Sequence, residues 1–199
     1  MAKDFYQAVA DRYSVYQIAD KKIVSEERIE EVVQFAIEHT PYAFNSQSGR
    51  VVVLFNQESD KFWELTKAEL KKIVPENEFP ATEARINGFK AGYGTVLFFE
   101  DQSIVRGLQE QMPLYADNFP IWSEQGSGML QYVVWTALEN EGLGATLQHY
   151  NPLVDQAVQA EWGIPEDWLL RGQMPFGKPE GERPAKEQQP IADRVKVFK

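Results

Sequence analysis

The feature that most constrains the fold is a long apolar helix pattern that runs into a glycine turn. Small residues follow the pattern: Gly142 stands where a glycine ends a helix, and Gly144 and Ala145 come after Leu143. Because residues without bulky side chains let backbone N–H groups approach a ring system, this turn is a candidate ligand contact. Between residues 122 and 140 a wide apolar stripe at helical spacing predicts the central helix, and its members are Met129, Leu130, Val133, Val134, Ala137 and Leu138.

The other elements mix helices and strands without a regular β-α-β rhythm, which favours an α+β fold. Ser25 is a suitable N-cap for a second amphipathic helix, which ends before Thr40-Pro41. Gly88 is expected to end a further helix. Helices are predicted over residues 4–18, 26–39, 60–74, 80–87, 103–111, 122–140 and 154–162. Strands are predicted over residues 50–56, 94–100, 145–148 and 168–176.

Composition limits the classes of function. A chain of 199 residues suits one domain, here 1–199, and the absence of cysteine excludes disulfides and thiolate catalysis. A formal charge of −10 argues against nucleic acid and anionic membranes as partners. The apolar runs are too short to span a bilayer, and no basic segment leads into an apolar run at the N-terminus. We therefore expect a cytoplasmic protein with no resident metal.

Motifs for several common chemistries are missing from the sequence. It has no phosphate-binding P-loop, no complete dinucleotide-binding glycine pattern and no nucleophile elbow. Only two histidines, His39 and His149, occur in the chain. An enzyme built on this sequence is therefore expected to take its chemistry from a cofactor.

Two polar segments are candidate binding sites in addition to the glycine turn. Arg12 offers a charged fork and Ser14 a small donor and acceptor, although an exposed arginine in a salt bridge is the ordinary alternative. Asn45 and Gln47 carry amides that suit the edge of a flat heterocycle, although they also suit a simple turn.

Together these segments resemble the three flavin-contacting segments of the nitroreductase family, and most closely those of the small branch named after a yeast fatty-acid-repression mutant protein. The family's Arg-Arg-Ser signature matches Arg12 and Ser14, with Tyr13 in place of the second arginine. The resemblance implies contacts to FMN from Arg12, Tyr13, Ser14, Asn45, Ser46, Gln47, Gly142, Leu143, Gly144 and, for the phosphate, Lys186.

The resemblance also implies an architecture. The expected fold is nitroreductase-like, with a central, mostly antiparallel sheet flanked by helices, in a homodimer with FMN at the subunit interface. The proline-rich residues 177–190 form an extended arm, and residues 191–199 alternate as a short terminal strand would. The residues themselves leave open whether residues 177–199 exchange with a partner or pack on their own subunit.

The implied activity is an NADH- or NADPH-dependent, ping-pong reduction of nitroaromatic or quinone-like acceptors, in which no catalytic acid or base of the protein stands out. Two alternatives stay open. One is a flavin-binding redox- or lipid-responsive regulatory protein with little turnover. The other is a structural protein without flavin.

Overall fold

The computed structural model describes residues 3–199 and forms seven α-helices and five strands within that range. The helices are α1 (Phe5–Asp11), α2 (Glu26–His39), α3 (Asn56–Lys71), α4 (Phe79–Lys90), α5 (Gln102–Gln111), α6 (Phe119–Asn140) and α7 (Asp155–Trp162). The strands are β1 (Ile18–Ala19), β2 (Gly49–Phe55), β3 (Gly94–Asp101), β4 (Gly144–Ala145) and β5 (Trp168–Pro179). Short 3₁₀ turns cover Ala43–Asn45, Pro113–Tyr115 and Ile191–Asp193.

The sheet has the strand order β1-β5-β3-β2, with β4 pairing β5, and every pair of these strands is antiparallel. Strand β3 lies between β2 and β5 and is buried along its whole length. Buried strands with neighbours on both sides read as continuous apolar runs, which is why residues 94–100 were recognisable in the sequence. The predicted α+β class and antiparallel sheet are confirmed.

Helices cover both faces of the sheet, so the molecule has two apolar cores. Successive residues of a strand point to opposite faces. Accordingly, Val96 and Phe98 of β3 pack with α2 and α6, whereas Leu97 and Phe99 pack with α3, α4 and α7. Within residues 3–199, none of these helices combines the length and the apolar character that a membrane span requires.

Local signals explain α2 and α6. The Ser25 hydroxyl accepts a hydrogen bond from the Arg28 backbone N–H and caps α2, as predicted. On α6 the predicted stripe is buried at Leu130, Val134 and Leu138, whereas Met129 is exposed. Gly142 adopts the left-handed conformation, with φ of 85°, directly after the last turn of α6.

The prediction of one helix over residues 4–18 is wrong. Helix α1 ends at Asp11, and the chain continues in an extended form that pairs with β4 through Ser14 and with β5 through Ile18. The sequence pattern could not reveal this because the pairing partners lie more than 120 residues away. Gly88 also does not end a helix, since α4 continues to Lys90.

The C-terminal arm differs in part from its prediction. Strand β5 extends through the first arm residues to Pro179, and all residues from Glu180 to Lys199 are exposed. Ile191–Asp193 form a 3₁₀ turn where the terminal strand was predicted to begin, and residues 194–199 have no strand partner within the described chain. Exchange of the arm with a partner stays a prediction.

Truncation of α6 in the core tests its central position. Leu138 is fully buried, so we expect Leu138→Ala to lower the free energy of unfolding by about 2–5 kcal/mol in urea denaturation. Ile73 is 64% exposed, so Ile73→Ala should change the free energy of unfolding by less than about 0.5 kcal/mol. Equal losses for the two variants would contradict the position assigned to α6.

Candidate functional site

The N-terminal segment and the glycine turn, which are far apart in sequence, lie side by side. Ser14 forms a parallel bridge with Ala145, and the Val15 backbone N–H donates to the Ala145 carbonyl at 2.9 Å. The Trp135 indole N–H donates to the same carbonyl at 3.2 Å. The structure therefore brings together two of the three predicted segments.

Packing within the chain itself already requires small residues in this turn. A Cβ atom at Gly144 would lie 2.8 Å from Cγ1 of Val15 and 3.0 Å from Cβ of Pro179. Gly142 needs its positive φ, and the Leu143 side chain is buried in the core. A larger residue at position 144 would push the N-terminal segment away from the turn.

Arg12 is not the exposed, ion-paired arginine of the ordinary alternative. Its guanidinium lies 4.4 Å from the ring centroid of Trp135 and 5.6 Å from that of Tyr132. Among residues 3–199 the Arg12 side chain makes no ion pair, and its buried Nε atom has no hydrogen-bond partner. A charged fork with an unused donor is suited to bind an anionic group.

Residues of the arm close a cavity beside this segment. Tyr13 and Ser14 line a cavity of about 240 Å³ together with Glu180, Glu182 and Pro184. The Arg183 guanidinium lies over the Tyr13 ring, 5.1 Å from its centroid. Lys186, the predicted phosphate ligand, is exposed further along the arm.

The segment that carries Asn45, Ser46 and Gln47 has a strained backbone. Phe44, Asn45 and Gln47 adopt positive φ angles of 56°, 50° and 49°. For residues other than glycine, each such conformation costs on the order of 1 kcal/mol or more and persists only where the surroundings impose it. Asn45 and Gln47 line a cavity of about 300 Å³ with Tyr42 and other residues. We call residues 42–48 the amide loop.

Arg50 fixes the C-terminal side of the amide loop. Its Nη1 donates to the carbonyl oxygens of Gln47 at 2.7 Å and Gly49 at 2.9 Å, and its Nη2 contacts Oδ2 of Asp101 at 3.1 Å. The sequence analysis did not select Arg50 as a site residue. Arg50 acts by donating to loop carbonyls, and the direction of a carbonyl cannot be predicted from a sequence pattern.

A fully buried carboxylate lies beneath the amide loop. Glu100 accepts hydrogen bonds from the hydroxyls of Tyr42 at 2.9 Å, Ser48 at 2.7 Å and Ser123 at 2.6 Å. Burial raises the pKa of Glu100, and the three hydroxyl donors oppose that increase. Sequence reasoning missed this residue, although a glutamate at the end of a buried apolar strand was a visible signal.

Two glycines form a slot for the Tyr42 ring. A Cβ at Gly126 of α6 would lie 2.4 Å from two Tyr42 ring atoms, and one at Gly49 would lie 2.3 Å from the Tyr42 hydroxyl. The ring therefore fits only because both positions lack a side chain. The slot directs the hydroxyl of Tyr42 toward Glu100.

Four aromatic side chains form a wall beside the amide loop. The Phe44 ring stacks on Trp122 at a centroid distance of 5.7 Å and an interplanar angle of 25°. Its centroid lies 5.9 Å from that of Tyr115 and 5.4 Å from that of Phe119. Phe44 and Tyr115 are 54% and 46% exposed, so this aromatic wall presents apolar ring surface to an incoming ligand.

The two groups of candidate residues contact different parts of α6. The amide loop packs at Gly126, whereas Arg12 packs at Trp135. Nine residues of helix separate these positions by roughly 14 Å along the axis. The two groups line separate cavities in one chain. No cluster of three or more His, Asp or Glu side chains suited to a metal ion occurs within residues 3–199.

The chain combines an antiparallel sheet, enclosed by α2 and α6 on one face, with a strained amide loop and a glycine turn after the central helix. This is the α+β arrangement that the resemblance to the nitroreductase family implies. The family model described as "Nitroreductase family" matches residues 9–178. The chain belongs to the nitroreductase family.

Two yeast proteins and one bacterial protein of known structure are similar to the chain. HBN1 of Saccharomyces cerevisiae is 38% identical over 85% of this chain and 83% of its own length, and the nitroreductase FRM2 is 30% identical over 88% of each. The nitroreductase CinD of Lactococcus lactis, in complex with nicotinic acid, is 48% identical with a TM-score of 0.92 over 98% of this chain and 100% of its own. Other structures of CinD contain chloramphenicol or 4-nitrophenol, at TM-scores of 0.91 and 0.90. The similarity to the yeast-named branch is thereby confirmed.

Two glycines of α6 provide a matched test of the Tyr42 slot. We expect Gly126→Ala to lower the free energy of unfolding by about 1–3 kcal/mol, because its Cβ displaces the Tyr42 ring. Gly128 has open space around it, so Gly128→Ala should raise the free energy of unfolding by up to about 1 kcal/mol. Urea denaturation measures both, and stabilisation by Gly126→Ala would show that the slot is not tight.

Proposed function

We propose that this chain is an FMN-dependent NAD(P)H oxidoreductase that reduces nitroaromatic or quinone-like acceptors by a ping-pong reaction. Membership of the nitroreductase family supports the oxidoreductase class. The observation that carries the FMN assignment is Arg12, whose half-buried guanidinium has an unused donor beside Ser14 and the glycine turn. An anionic phosphate would pair with this guanidinium, which has no ion-pair partner among residues 3–199.

The candidate residues fit the chemistry of FMN. Arg12 and Ser14 would hold the phosphate, with a basic residue of the arm such as Lys186 completing its neutralisation. The Asn45 and Gln47 amides would hydrogen-bond the polar edge of the ring, with Ser46 beside them. The N–H groups of Gly142 and Leu143 already donate to carbonyls of α6, so the turn Gly142-Leu143-Gly144 would contact FMN mainly through its small backbone surface. When bound, FMN supplies a ring that accepts hydride from the nicotinamide donor and passes the electrons to the acceptor.

A homodimer is part of the proposal, because the two groups of candidate residues line separate cavities in one chain. In the proposed dimer, the amide loop of one subunit lies near Arg12 of the other. Exposed apolar residues on the arm and on the helices support association with a second copy. They are Phe5, Tyr6, Phe35, Met129, Ile191, Val195, Val197 and Phe198.

The acceptor assignment is supported by the aromatic wall and by CinD. The exposed rings of Phe44 and Tyr115 can stack on a flat, electron-poor acceptor. The complexes of CinD contain 4-nitrophenol and chloramphenicol, both of which carry a nitroaromatic group. The protein's contribution is to orient the acceptor against the flavin and to exclude water, so no acid or base residue is required.

The first test is the visible absorption spectrum of the purified protein with FMN under anaerobic conditions. We expect a bound-flavin spectrum that bleaches with NADH or NADPH and returns when 4-nitrophenol or a quinone is added. Light scattering of the same sample should give the mass of two chains. A flavin that never bleaches would support the regulatory alternative, and a protein that binds no FMN would contradict the proposal.

Replacement of Arg12 tests the phosphate contact. Arg12→Met keeps an apolar stem against Trp135 but removes the charge, so we expect at least a tenfold higher Kd for FMN by quenching of flavin fluorescence, as a lost charged hydrogen bond of about 1.5–3 kcal/mol implies. Arg106 forms an exposed ion pair with Asp167, and Arg106→Met should leave the Kd within twofold. An unchanged Kd in Arg12→Met would remove Arg12 from the site.

A further inference from the structure

One buried carboxylate is hydrogen-bonded to both ends of the strained amide loop. Tyr42 comes before the three residues with positive φ and donates to Oε1 of Glu100, whereas Ser48 comes after them and donates to Oε2. Ser123 of α6 donates to the same Oε2. Glu100 thus links the first and last residues of the loop to each other and to the central helix.

We propose that Glu100 is a positioning residue, which holds the amide loop in its strained conformation and so directs the side chains of Asn45 and Gln47. The inference about the loop conformation stands on this geometry alone. Its consequence for flavin binding rests on the proposed function, in which these two amides contact the ring.

The chemistry of the contacts favours a carboxylate over an apolar or neutral group. A carboxylate offers only acceptors, so each of three hydroxyls can donate to it at the same time. Removing a charged group from water is costly, and an apolar residue would serve the core better. The contribution of Glu100 therefore lies in fixing the directions of three donors, two of which are loop residues.

The rest of the loop has few other anchors. Within the loop, the Asn45 N–H donates to the Tyr42 carbonyl and the Ser46 N–H to the Ala43 carbonyl. The Ser48 carbonyl accepts from the Asp101 N–H, and Arg50 holds the Gln47 carbonyl. These contacts fix the side that follows the strained residues. On the side that precedes them, the Tyr42 ring lies in its glycine slot, and its hydroxyl bond ties this side to the same carboxylate that holds Ser48.

The test is hydrogen–deuterium exchange of the flavin-free protein with the variant Glu100→Gln. The amide nitrogen of glutamine cannot accept a hydrogen bond. The hydroxyl of Tyr42, or the hydroxyls of Ser48 and Ser123, therefore lose their acceptor. We expect exchange within residues 42–48 to accelerate at least tenfold while exchange in α3 and α4, on the other face of the sheet, stays within twofold. The Kd for FMN should rise at least tenfold in the same variant.

Two further variants and a control separate positioning from general stability. Tyr42→Phe keeps the ring in its glycine slot and removes only the hydroxyl, and Ser123→Ala removes the donor from α6. Both variants should accelerate hydrogen exchange of the amide loop by threefold or more. If Glu100→Gln does not fold, these two variants decide whether the contacts of Glu100 hold the loop. Glu64 forms exposed ion pairs with Lys67 and Lys90, so Glu64→Gln should change neither readout.

The outcomes are distinguishable from those of the proposed function. If the parent protein binds no FMN, the proposed function fails, and loop exchange alone decides the role of Glu100. Unchanged exchange of residues 42–48 in the variants would overturn the inference. Faster exchange spread evenly over the whole chain would also overturn it, because Glu100 would then be only a stability residue. Faster exchange confined to the loop, with FMN affinity unchanged in a protein that binds FMN, would overturn its consequence for the flavin.

Discussion

Both candidate binding regions depend on the packing of α6 against the sheet. Burial of Leu130, Val134 and Leu138 fixes the helix on the face formed by alternate residues of β3. In its first half, α6 contacts the amide loop at Gly126, and near its end it contacts Arg12 through the Trp135 ring. Since the helix is a rigid spacer, the same apolar contacts that stabilise the core also set the distance between the two regions.

The amide loop shows how a polar group can be stable at the edge of an apolar core. Burial raises the pKa of Glu100, so the carboxylate opposes folding when it ionises, and its three hydroxyl donors offset part of that cost. Left-handed residues between the donors add a further cost. Structures of this kind persist only when the surrounding core provides excess stability, which here comes from two well-packed cores on the faces of one sheet.

The sequence predicted the parts of the fold that local pattern determines. The stripe on α2, the cap at Ser25 and the glycine after α6 were found because each is a short-range signal. The end of α1 was missed because residues 14–19 are held by strands more than 100 residues away. At the site, residue types suggested Arg12, Asn45 and Gln47, but the strain of the amide loop and the hydrogen bonds to Glu100 depend on three-dimensional contacts. The periodicity of apolar residues along the sequence does not predict those contacts.

The separation of the candidate residues limits how this chain can bind one ligand. A single subunit places Arg12 and the amide loop at positions on α6 separated by roughly 14 Å along the axis. Tyr13 and Ser14, next to Arg12, line a different cavity from Asn45 and Gln47. In the homodimer proposed above, the amide loop of a second copy would complete each site. In that arrangement, every binding site would depend on the cores of two subunits. Loss of packing on α6 in one subunit would then weaken both sites, because each subunit supplies the phosphate contact to one site and the loop to the other.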